Sequence, residues 1–323
     1  MNSISRRTFL AGSAGAAALA LTACGGSGSS DASGDKTYKI GVLQLTQHAA
    51  LDAANEGFVE ALDASGIKYT IDQQNANNDQ SACATIASKL VGDGDDLIFA
   101  IATPAAQAVA AATSDIPIVG SAITDYAASG LVADNDKPGG NLTGTSDMNP
   151  VDDQIAMLQK VLPEAKHIGM LYCTAESNSQ LQIEMAEAAC DKAGFTTERF
   201  TVSSSNEIQS VVESMVGKVD AGYSPTDNTI AAAAAQVGQI AKEGKLPFIT
   251  GEENMCMGMG ICTVSIDYKE LGKMAGEMAV KILKGEDTPA NMAIETEAGD
   301  QLQTIKNEEM AEALGIDLSV LDA

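Results

Sequence analysis

Small polar and acidic side chains that could bind a ligand follow the ends of several predicted strands. Thr103, Ser121, Asp125, Glu176 and Asp227 each lie in such a loop. Any one of them is explained by helix capping, because Ser, Thr, Asp and Asn dominate helix N-caps. Together they offer acceptors for an ammonium group, while hydroxyls and the free N–H groups at helix starts attract a carboxylate. The set therefore suits a zwitterionic ligand.

Groups suited to catalysis are scarce in the sequence. It has two histidines, His48 and His167, and contains no GxSxG nucleophile elbow, HExxH helix or P-loop. Carboxylates beside a cleft can act as acid and base, but binding an ammonium group uses the same side chains. We therefore predict a binding protein with no catalytic residue and no cofactor, rather than an enzyme.

Alternating strands and helices must position these loops. Apolar runs at 38–44 and 96–101 predict strands, and apolar spacing at 51–62 and 266–284 predicts helices. Repeated βα units with apolar strands indicate parallel sheets covered on both faces. The units are too many for one small sheet, so we predict an α/β fold of two doubly wound parallel-sheet lobes joined by a hinge. Ligands of such sheets bind at the carboxyl ends of the strands, which places the ligand in the cleft between the lobes.

The predicted lobes are discontinuous in the chain. Turn-forming residues at 140–150 mark a crossing between them. We assign residues 37–147 and about 255–288 to lobe 1, and residues 148–254 and about 289–323 to lobe 2.

Several short motifs in order resemble one family. The residues that carry the resemblance are Leu51-Asp52, Ala102-Thr103-Pro104-Ala105-Ala106-Gln107, Ser121 with Thr124-Asp125, Pro138 to Gly144 with Ser146-Asp147, Glu176 with Asn178-Ser179, Pro225-Thr226-Asp227-Asn228, and Asp267-Tyr268. In these the chain resembles the ABC-transporter substrate-binding lipoproteins of the tryptophan/tyrosine-type group, which have a type I periplasmic-binding fold. It departs from the family pattern at Tyr126 and at 173–175, both in predicted cleft loops.

The resemblance implies capture of a small amino-acid-like solute, with an aromatic one favoured, and delivery to an ABC permease and its ATPase by hinge closure. By position, donors to the ligand carboxylate would be Thr103, Ala105 and Ser121. Acceptors for the ammonium would be Asp125, Asp227 or Glu176, with Asn178, Ser179 and Asn228 completing the polar shell. Gln44 and His48, at the end of the first strand, would reach the ligand side chain.

Two alternatives remain open from the sequence. The same fold can serve a ligand-sensing protein that acts on a membrane receptor, because only the partner differs. The solute can also be a sugar or nucleoside, although a neutral ligand would leave a buried carboxylate without a cation. Tyr126, Tyr172, Tyr223 and Tyr268 are interpreted either as stacking faces for the ligand or as packing.

The first residues resemble an export and lipidation signal. Arg6 and Arg7 match the twin-arginine motif, and residues 21–24 resemble a lipobox that ends in Cys24. We predict a signal peptide over 1–23, acylation of Cys24 and a flexible linker over 24–36. The protein would then be exported and held by lipid on the outer face of the cell membrane.

The net charge and the spacing of the cysteines argue against nucleic-acid and zinc binding. With 19 basic and 44 acidic residues the net charge is −25, which argues against a nucleic-acid partner because that would need a basic face. The remaining cysteines, Cys83, Cys173, Cys190, Cys256 and Cys262, show no zinc spacing. The Met- and Cys-rich stretch 255–262 is interpreted as buried thiols and thioethers rather than a metal site, and pairing of Cys256 with Cys262 stays open. We expect a monomer.

Overall fold

Two groups of apolar runs fold into two sheets, each at the centre of a lobe. The computed structural model describes residues 36–322. The elements of lobe 1 are β1 (Thr37–Gln44), α1 (Ala49–Ser65), β2 (Lys68–Asn75), α2 (Gln80–Asp93), β3 (Leu97–Ile101), α3 (Thr103–Ala112), β4 (Ile118–Ile123), β5 (Leu142–Ser146) and, after the second lobe, α10 (Tyr268–Leu283).

The sheet of lobe 1 has the strand order β2-β1-β3-β4-β5, and all its pairings are parallel. β3 is apolar and buried at all five positions, because helices cover both faces of the sheet. Phe58 of α1 stacks on Phe99 of β3 with ring centroids 3.8 Å apart. This packing fixes α1 against the middle of the sheet.

Helices α1 and α10 touch through their backbones. A Cβ atom on Gly57 would lie 2.0 Å from the carbonyl oxygen of Lys269, and one on Gly272 would lie 1.9 Å from that of Ala54. Only glycine allows so close an approach. α10 is therefore a fixed part of lobe 1, although it follows lobe 2 in the chain.

Lobe 2 holds the remaining elements. They are α4 (Val151–Val161), β6 (His167–Cys173), α5 (Ser177–Ala193), β7 (Thr196–Val202), α6 (Ile208–Met215), β8 (Ala221–Ser224), α7 (Asn228–Ala231), α8 (Ala234–Gly244), β9 (Phe248–Thr250), α9 (Glu253–Met259), β10 (Cys262–Ser265), β11 (Gln303–Lys306) and α11 (Glu308–Leu314). The strand order is β11-β10-β9-β8-β6-β7, parallel except for β11. A separate apolar core covers each face of this sheet.

The lobe boundaries after residue 254 differ from those assigned from the sequence. We assigned 255–265 to lobe 1, but β10 pairs with β9 and β11, and α9 packs in the core of lobe 2. We assigned the chain from 289 to lobe 2, but Met292 and Glu295 still bond to β5. The reason is that hydrophobic periodicity identifies an element but not the sheet it joins.

Three chain segments cross between the lobes, and hydrogen bonds tie them together. The Thr296 hydroxyl donates to the carbonyl of Ser146 at 2.9 Å, and the backbone N–H of Ile266 donates to Asn149 Oδ1 at 3.1 Å. The N–H of Asp267 donates to Glu297 at 2.7 Å. Relative motion of the lobes is thereby confined to one hinge region, and the predicted fold class is confirmed.

The described residues contain neither a disulfide nor a helix that could span a membrane. Within residues 36–322, all five cysteines are buried and free, so Cys256 and Cys262 form no disulfide. In the same part of the chain, no three His, Cys, Asp or Glu side chains are grouped to hold a metal ion. No helix in the described range combines the length and apolar character needed to span a bilayer. Arg6, Arg7 and Cys24 lie outside the described residues.

Candidate functional site

A cavity of about 220 Å³ lies between the lobes, where the carboxyl ends of strands from both sheets meet. We call it the central cavity. Loops after β1, β5, β8 and β9 contribute to it, as does the start of α10. Its lining is His48, Leu51, Asp147, Thr226, Asp227, Asn228, Ala231, Glu252, Met255 and Tyr268.

Asp147 follows β5 and is buried at the first crossing between the lobes. It accepts hydrogen bonds from the Thr124 hydroxyl at 3.0 Å and from the Tyr268 hydroxyl at 2.9 Å. Burial raises the pKa of Asp147 to about 6. The two hydroxyls stabilise the charged form, but neither carries a positive charge, so they offset only part of the desolvation.

Asp227 and Glu252 cap two helices of lobe 2. Asp227 accepts from the backbone N–H of Ile230 at 2.8 Å and of Cys173 at 2.7 Å. Glu252 accepts from the N–H of Met255 at 2.5 Å. Burial raises the pKa of both carboxyls to about 7, and for Asp227 the nearby negative charge of Glu176 adds to the effect.

The three cavity carboxylates, Asp147, Asp227 and Glu252, have no cationic side chain beside them. No Lys or Arg of the described chain lines the central cavity, and burial lowers the pKa of His48, which favours its neutral form. Buried negative charge without a cation is costly. A cation that enters the cavity would offset that cost.

Glu176 is a buried carboxylate of a different kind. It accepts from the backbone N–H and side-chain amide of Asn228 at 3.1 and 2.6 Å. It also accepts from the N–H and hydroxyl of Thr229 at 2.9 and 2.7 Å, and from the Asn178 amide at 3.4 Å. With five donors from lobe 2, Glu176 holds the start of α7 in place, and it lacks a free side for the ammonium predicted from the sequence.

Hydrogen bonds join the lobes directly across the cleft. His48 Nε2 lies 3.1 Å from Asn228 Oδ1, and the Asn78 amide donates to the Thr229 hydroxyl at 2.9 Å. The Gln80 amide donates to the carbonyl of Ala175 at 2.8 Å. These contacts hold the lobes together and separate the central cavity from a second one.

The second cavity has a volume of about 500 Å³ and lies between Pro104 of lobe 1 and Glu176 and Thr229 of lobe 2. It borders the central cavity, because Asn228 lines one and Thr229 the other. The start of α3 lies at this side. Thr103 there is buried, and its hydroxyl has no hydrogen-bond partner within residues 36–322. Ala105, in the first turn of α3, is also fully buried.

Some of the other predicted site residues lie behind the walls of the central cavity, and others lie away from it. Gln44 donates to the carbonyl of Thr46 at 2.8 Å and to Asp52 at 2.6 Å, so it shapes the loop that carries His48. Asn178 donates to the carbonyl of Thr226 at 3.1 Å, and the Ser179 hydroxyl bonds to Asp227. All three side chains are buried and support the cavity walls from behind.

Ser121 and Asp125 serve lobe 1 itself. Ser121 is buried in the sheet and accepts from the Thr145 hydroxyl at 3.0 Å. Asp125 accepts from the N–H of Ala128 at 3.0 Å and from the Asn135 amide at 3.1 Å. It lines neither cavity, so the structure does not bring it to Asp227.

Of the tyrosines considered from the sequence, two lie in the core and one lines the central cavity. Tyr126 is fully buried and donates to the carbonyl of Thr145 at 3.0 Å, and Tyr223 is fully buried and donates to Gln154 at 2.8 Å. Both are therefore core residues. Tyr268 lines the central cavity, so its ring is available to a ligand there.

Asp147, Glu252 and Tyr268 also line the central cavity, although none of them is among the site residues predicted from the sequence. Both Asp147 and Tyr268 stood in the motifs behind the resemblance. Asp147 was given no role, and Tyr268 was interpreted only as a stacking face for the ligand or as packing. Glu252 follows β9 directly, so it carries the same signal as the loops that were selected. Applying the strand-end rule to every strand would have found it.

A larger cavity of about 800 Å³ lies on the outer side of lobe 1, between the last turns of α1 and the C-terminal half of α10. It is lined by residues such as Glu60, Ser65 and Lys281. The carboxyl ends of the strands lie at the opposite end of α1, so this cavity is no part of the cleft.

Comparison with known proteins agrees with this architecture. The model of the family described as "ABC transporter substrate binding protein" matches residues 39–320. A tyrosine-binding protein from Clostridioides difficile is 39% identical over 300 residues, covering 88% of this chain and 87% of the relative.

Two solved structures are similar over the same range. One, an ABC domain in complex with L-Trp from Streptococcus pneumoniae, is 41% identical with a TM-score of 0.85, covering 89% of this chain and 98% of that one. The other is the ligand-free, open structure of a substrate-binding protein with adhesive properties from Clostridium difficile. It is 43% identical with a TM-score of 0.66, covering 87% and 95% of the two chains. These relatives are binding proteins rather than enzymes, and this chain belongs to the ABC transporter substrate-binding protein family.

Proposed function

We propose that this protein captures a free amino acid, with an aromatic one favoured, by closing its two lobes around the ligand, and that it delivers the ligand to an ABC permease. The observation that carries the proposal is the central cavity, which has three carboxylates and no Lys or Arg among the residues 36–322 that line it. An ammonium group supplies the missing positive charge, and each charge-assisted hydrogen bond to it contributes about 1.5–3 kcal/mol.

The neighbouring second cavity offers hydrogen-bond donors: apart from Glu176, its polar side chains are mainly amides and hydroxyls, such as those of Asn77 and Ser204. Pro104 at the start of α3 lines this cavity, and the hydroxyl of the adjacent Thr103 is buried without a hydrogen-bond partner in the described chain. Donors of this kind suit a carboxylate. An amino acid that spans the boundary of the two cavities would satisfy both, which a neutral sugar would not.

The lining of the central cavity favours an aromatic side chain. Tyr268, Leu51 and Met255 present aromatic and apolar surface to it, and both tyrosine and L-Trp are named for relatives of about 40% identity. The 220 Å³ includes open solvent, and only about 10 Å³ of it is free for the centre of a water-sized molecule, which is room for about one water. The lobes therefore have to part, or the two cavities have to join, to admit an amino acid.

The arrangement of the lobes supports closure as the capture step. This chain matches the L-Trp complex with a TM-score of 0.85 and the open, ligand-free relative with 0.66, although the two are 41% and 43% identical to it. The two identities are nearly equal, so the difference in TM-score supports a difference in lobe angle between the two relatives. We take the structure described here as the closed form, which is the form that a permease would recognise.

Export by a twin-arginine signal and acylation of Cys24 belong to the same proposal. The body would then stand on a linker of residues 24–36 at the outer face of the membrane, as a monomer beside the permease and its ATPase. Mass spectrometry of the protein from its native membrane tests this part: an acylated N-terminal Cys24 supports it, and a chain that retains Arg6 and Arg7 contradicts it.

Isothermal titration calorimetry of the purified protein tests the ligand. We expect micromolar binding of L-Trp, L-Tyr or L-Phe, and about 100-fold weaker binding of indole-3-propionate, which lacks the ammonium group. Asp147→Asn should weaken amino-acid binding, whereas Asp125→Asn should not. Binding of sugars or nucleosides alone would overturn the proposal.

A further inference from the structure

The contact between His48 and Asn228 connects the ligand cavity to lobe closure. His48 follows β1 in lobe 1, Asn228 begins α7 in lobe 2, and both line the central cavity. His48 Nε2 and Asn228 Oδ1 are 3.1 Å apart. Which of the two atoms donates decides what the other ring nitrogen can do for a ligand.

The chemistry of Glu176 decides the direction of this hydrogen bond. The Asn228 amide nitrogen donates to Glu176 at 2.6 Å, and a carboxylate only accepts. Turning the amide over would place its oxygen against the carboxylate and leave the amide N–H₂ towards His48. The amide oxygen therefore faces His48, so His48 Nε2 must carry the hydrogen.

The same carboxylate sets the direction of the second contact across the cleft. The Thr229 hydroxyl donates to Glu176 at 2.7 Å, which leaves its oxygen as the acceptor for the Asn78 amide at 2.9 Å. Glu176 thus makes both lobe 2 groups acceptors, facing donors of lobe 1. We call Glu176 a positioning residue, because it acts on the ligand site only through Asn228 and Thr229.

The other ring nitrogen of His48, Nδ1, is a buried hydrogen-bond acceptor without a partner in the described chain. Burial lowers the pKa of His48, so the ring is neutral, and a neutral imidazole with its hydrogen on Nε2 has an acceptor at Nδ1. That atom is buried and has no hydrogen-bond partner in the described part of the chain. Buried acceptors are nearly always satisfied in folded proteins, so this one calls for a donor from outside the chain.

We propose that His48 couples ligand binding to closure: Nδ1 accepts a hydrogen bond from a donor group of the ligand, while Nε2–H holds Asn228 on the opposite lobe. A ligand donor fixes the Nε2–H tautomer, which is the only neutral form that can make the contact to Asn228. A ligand with no N–H or O–H at that place would leave the tautomer free and the lobes less firmly closed. This inference rests on the proposed amino-acid binding.

Nitrogen NMR of the imidazoles tests it directly. The chain has only two histidines, and His167→Gln assigns the spectrum, because His167 lies at the surface beside Thr196 and Glu198. With L-Trp bound near neutral pH, we expect a protonated Nε2 and an unprotonated, hydrogen-bonded Nδ1 in His48. A protonated Nδ1 would overturn the inference.

Amino acids that differ in their side-chain hydrogen-bond donors identify which ligand group donates to His48 Nδ1. If L-Phe shifts the Nδ1 resonance as L-Trp does, the ammonium is the donor; if only L-Trp and L-Tyr do so, the side-chain N–H or O–H is the donor. Calorimetric binding without any Nδ1 shift overturns the inference alone. No binding of any amino acid overturns the proposed function, and this inference with it.

Two variants separate the two ring nitrogens. His48→Asn keeps an acceptor near the Nδ1 position but loses the donor to Asn228, and His48→Gln keeps a donor near the Nε2 position but loses the ligand acceptor. Both should bind L-Trp about tenfold more weakly or worse, the loss of one hydrogen bond. Small-angle X-ray scattering should show closure without ligand only in His48→Gln. Wild-type affinity in either variant, with an unchanged melting temperature, would contradict the coupling.

Discussion

Glu176 and Asp147 are both buried carboxylates at the cleft, yet their surroundings give them different roles. Glu176 accepts from five donors, two of which are backbone N–H groups of α7. Asp147 accepts from two hydroxyls. A fully bonded carboxylate holds structure, whereas one with few donors keeps room for a cation. The number and type of donors, rather than burial, thus distinguishes a structural acid from a ligand-binding one.

The largest effect is expected from Glu176→Gln. Whichever way it is turned, the glutamine amide would point its one NH₂ group towards donors of Asn228 or Thr229, and backbone N–H groups cannot turn around to accept. Leaving buried donors unpaired should lower the free energy of unfolding by about 3 kcal/mol. Urea denaturation measures it. Glu187→Gln, which removes a half-exposed partner of Arg199, is the control and should cost less than about 1 kcal/mol.

Asp147→Asn should affect binding and spare folding. Its two partners are hydroxyls, which can accept as well as donate, so the asparagine amide is accommodated. At about pH 4, where this carboxyl is largely protonated, we expect the unfolding midpoint to stay close to that of the wild type. At neutral pH, the affinity for an amino acid should fall about 10- to 100-fold, the loss of one charge-assisted bond. If this variant unfolds as readily as Glu176→Gln, the contrast between the two acids is wrong.

The affinity should depend on pH. The pKa of Asp147 is raised to about 6, and those of Asp227 and Glu252 to about 7, and a protonated carboxyl is a poor acceptor for an ammonium group. Below these values, each carboxyl that must lose a proton weakens binding by up to about tenfold per pH unit. Calorimetry across this range should show the affinity rising with pH, with a shallower rise in Asp147→Asn.

The same carboxyls make the stability of the folded protein fall as the pH rises, whereas they make the ligand affinity increase. A carboxyl whose pKa is higher in the folded protein holds its proton more tightly there. Its contribution to stability is full below about pH 4, where the unfolded chain is also protonated, and is lost as the pH rises through about 6 to 7. Asp147→Asn should therefore gain stability relative to the wild type as the pH rises. An equal stability difference at both ends of the range would contradict this assignment.

The smallest effect is expected at the edge of the cleft. Asn78 has a positive φ of 62°, so Asn78→Gly removes the amide that donates to Thr229 without straining the backbone. Loss of this single neutral hydrogen bond should weaken ligand affinity about two- to tenfold and change the free energy of unfolding by less than about 1 kcal/mol. An effect as large as that of Asp147→Asn would mean that closure, rather than charge, dominates the affinity.

Much of the fold follows from local sequence. The apolar runs of β1 and β3 and the helical spacing of α1 and α10 appear at their predicted places, and the rule that parallel strands end at one edge leads to the cleft. Sheet membership does not follow locally. β10 joins lobe 2 by pairing with residues far away in the chain, and no local pattern records that choice.

In the candidate site, too, local sequence predicts some features and tertiary contacts decide the others. Asp227 and His48 were predicted because they follow strands, and both line the central cavity. Asp125 was predicted for the same reason, although its carboxylate faces its own turn. The difference between Glu176 and Asp147 rests on donors that tertiary contacts supply, and those of Glu176 come mostly from Asn228 and Thr229. Sequence position reveals which residues reach the cleft, but partners decide what each one does there.

The backbone contact between α1 and α10 also has a consequence for the order of folding. α1 is synthesised near the start of the body, but the helix that covers it appears only after β6 to β10 have been made. Until then the small-residue face of α1 at Ala54, Gly57 and Ala61 lacks this partner. Contacts between distant segments slow folding and expose surface to aggregation. Lobe 2 is nearly continuous from α4 to β10, so the lobe that begins first in the chain is completed late.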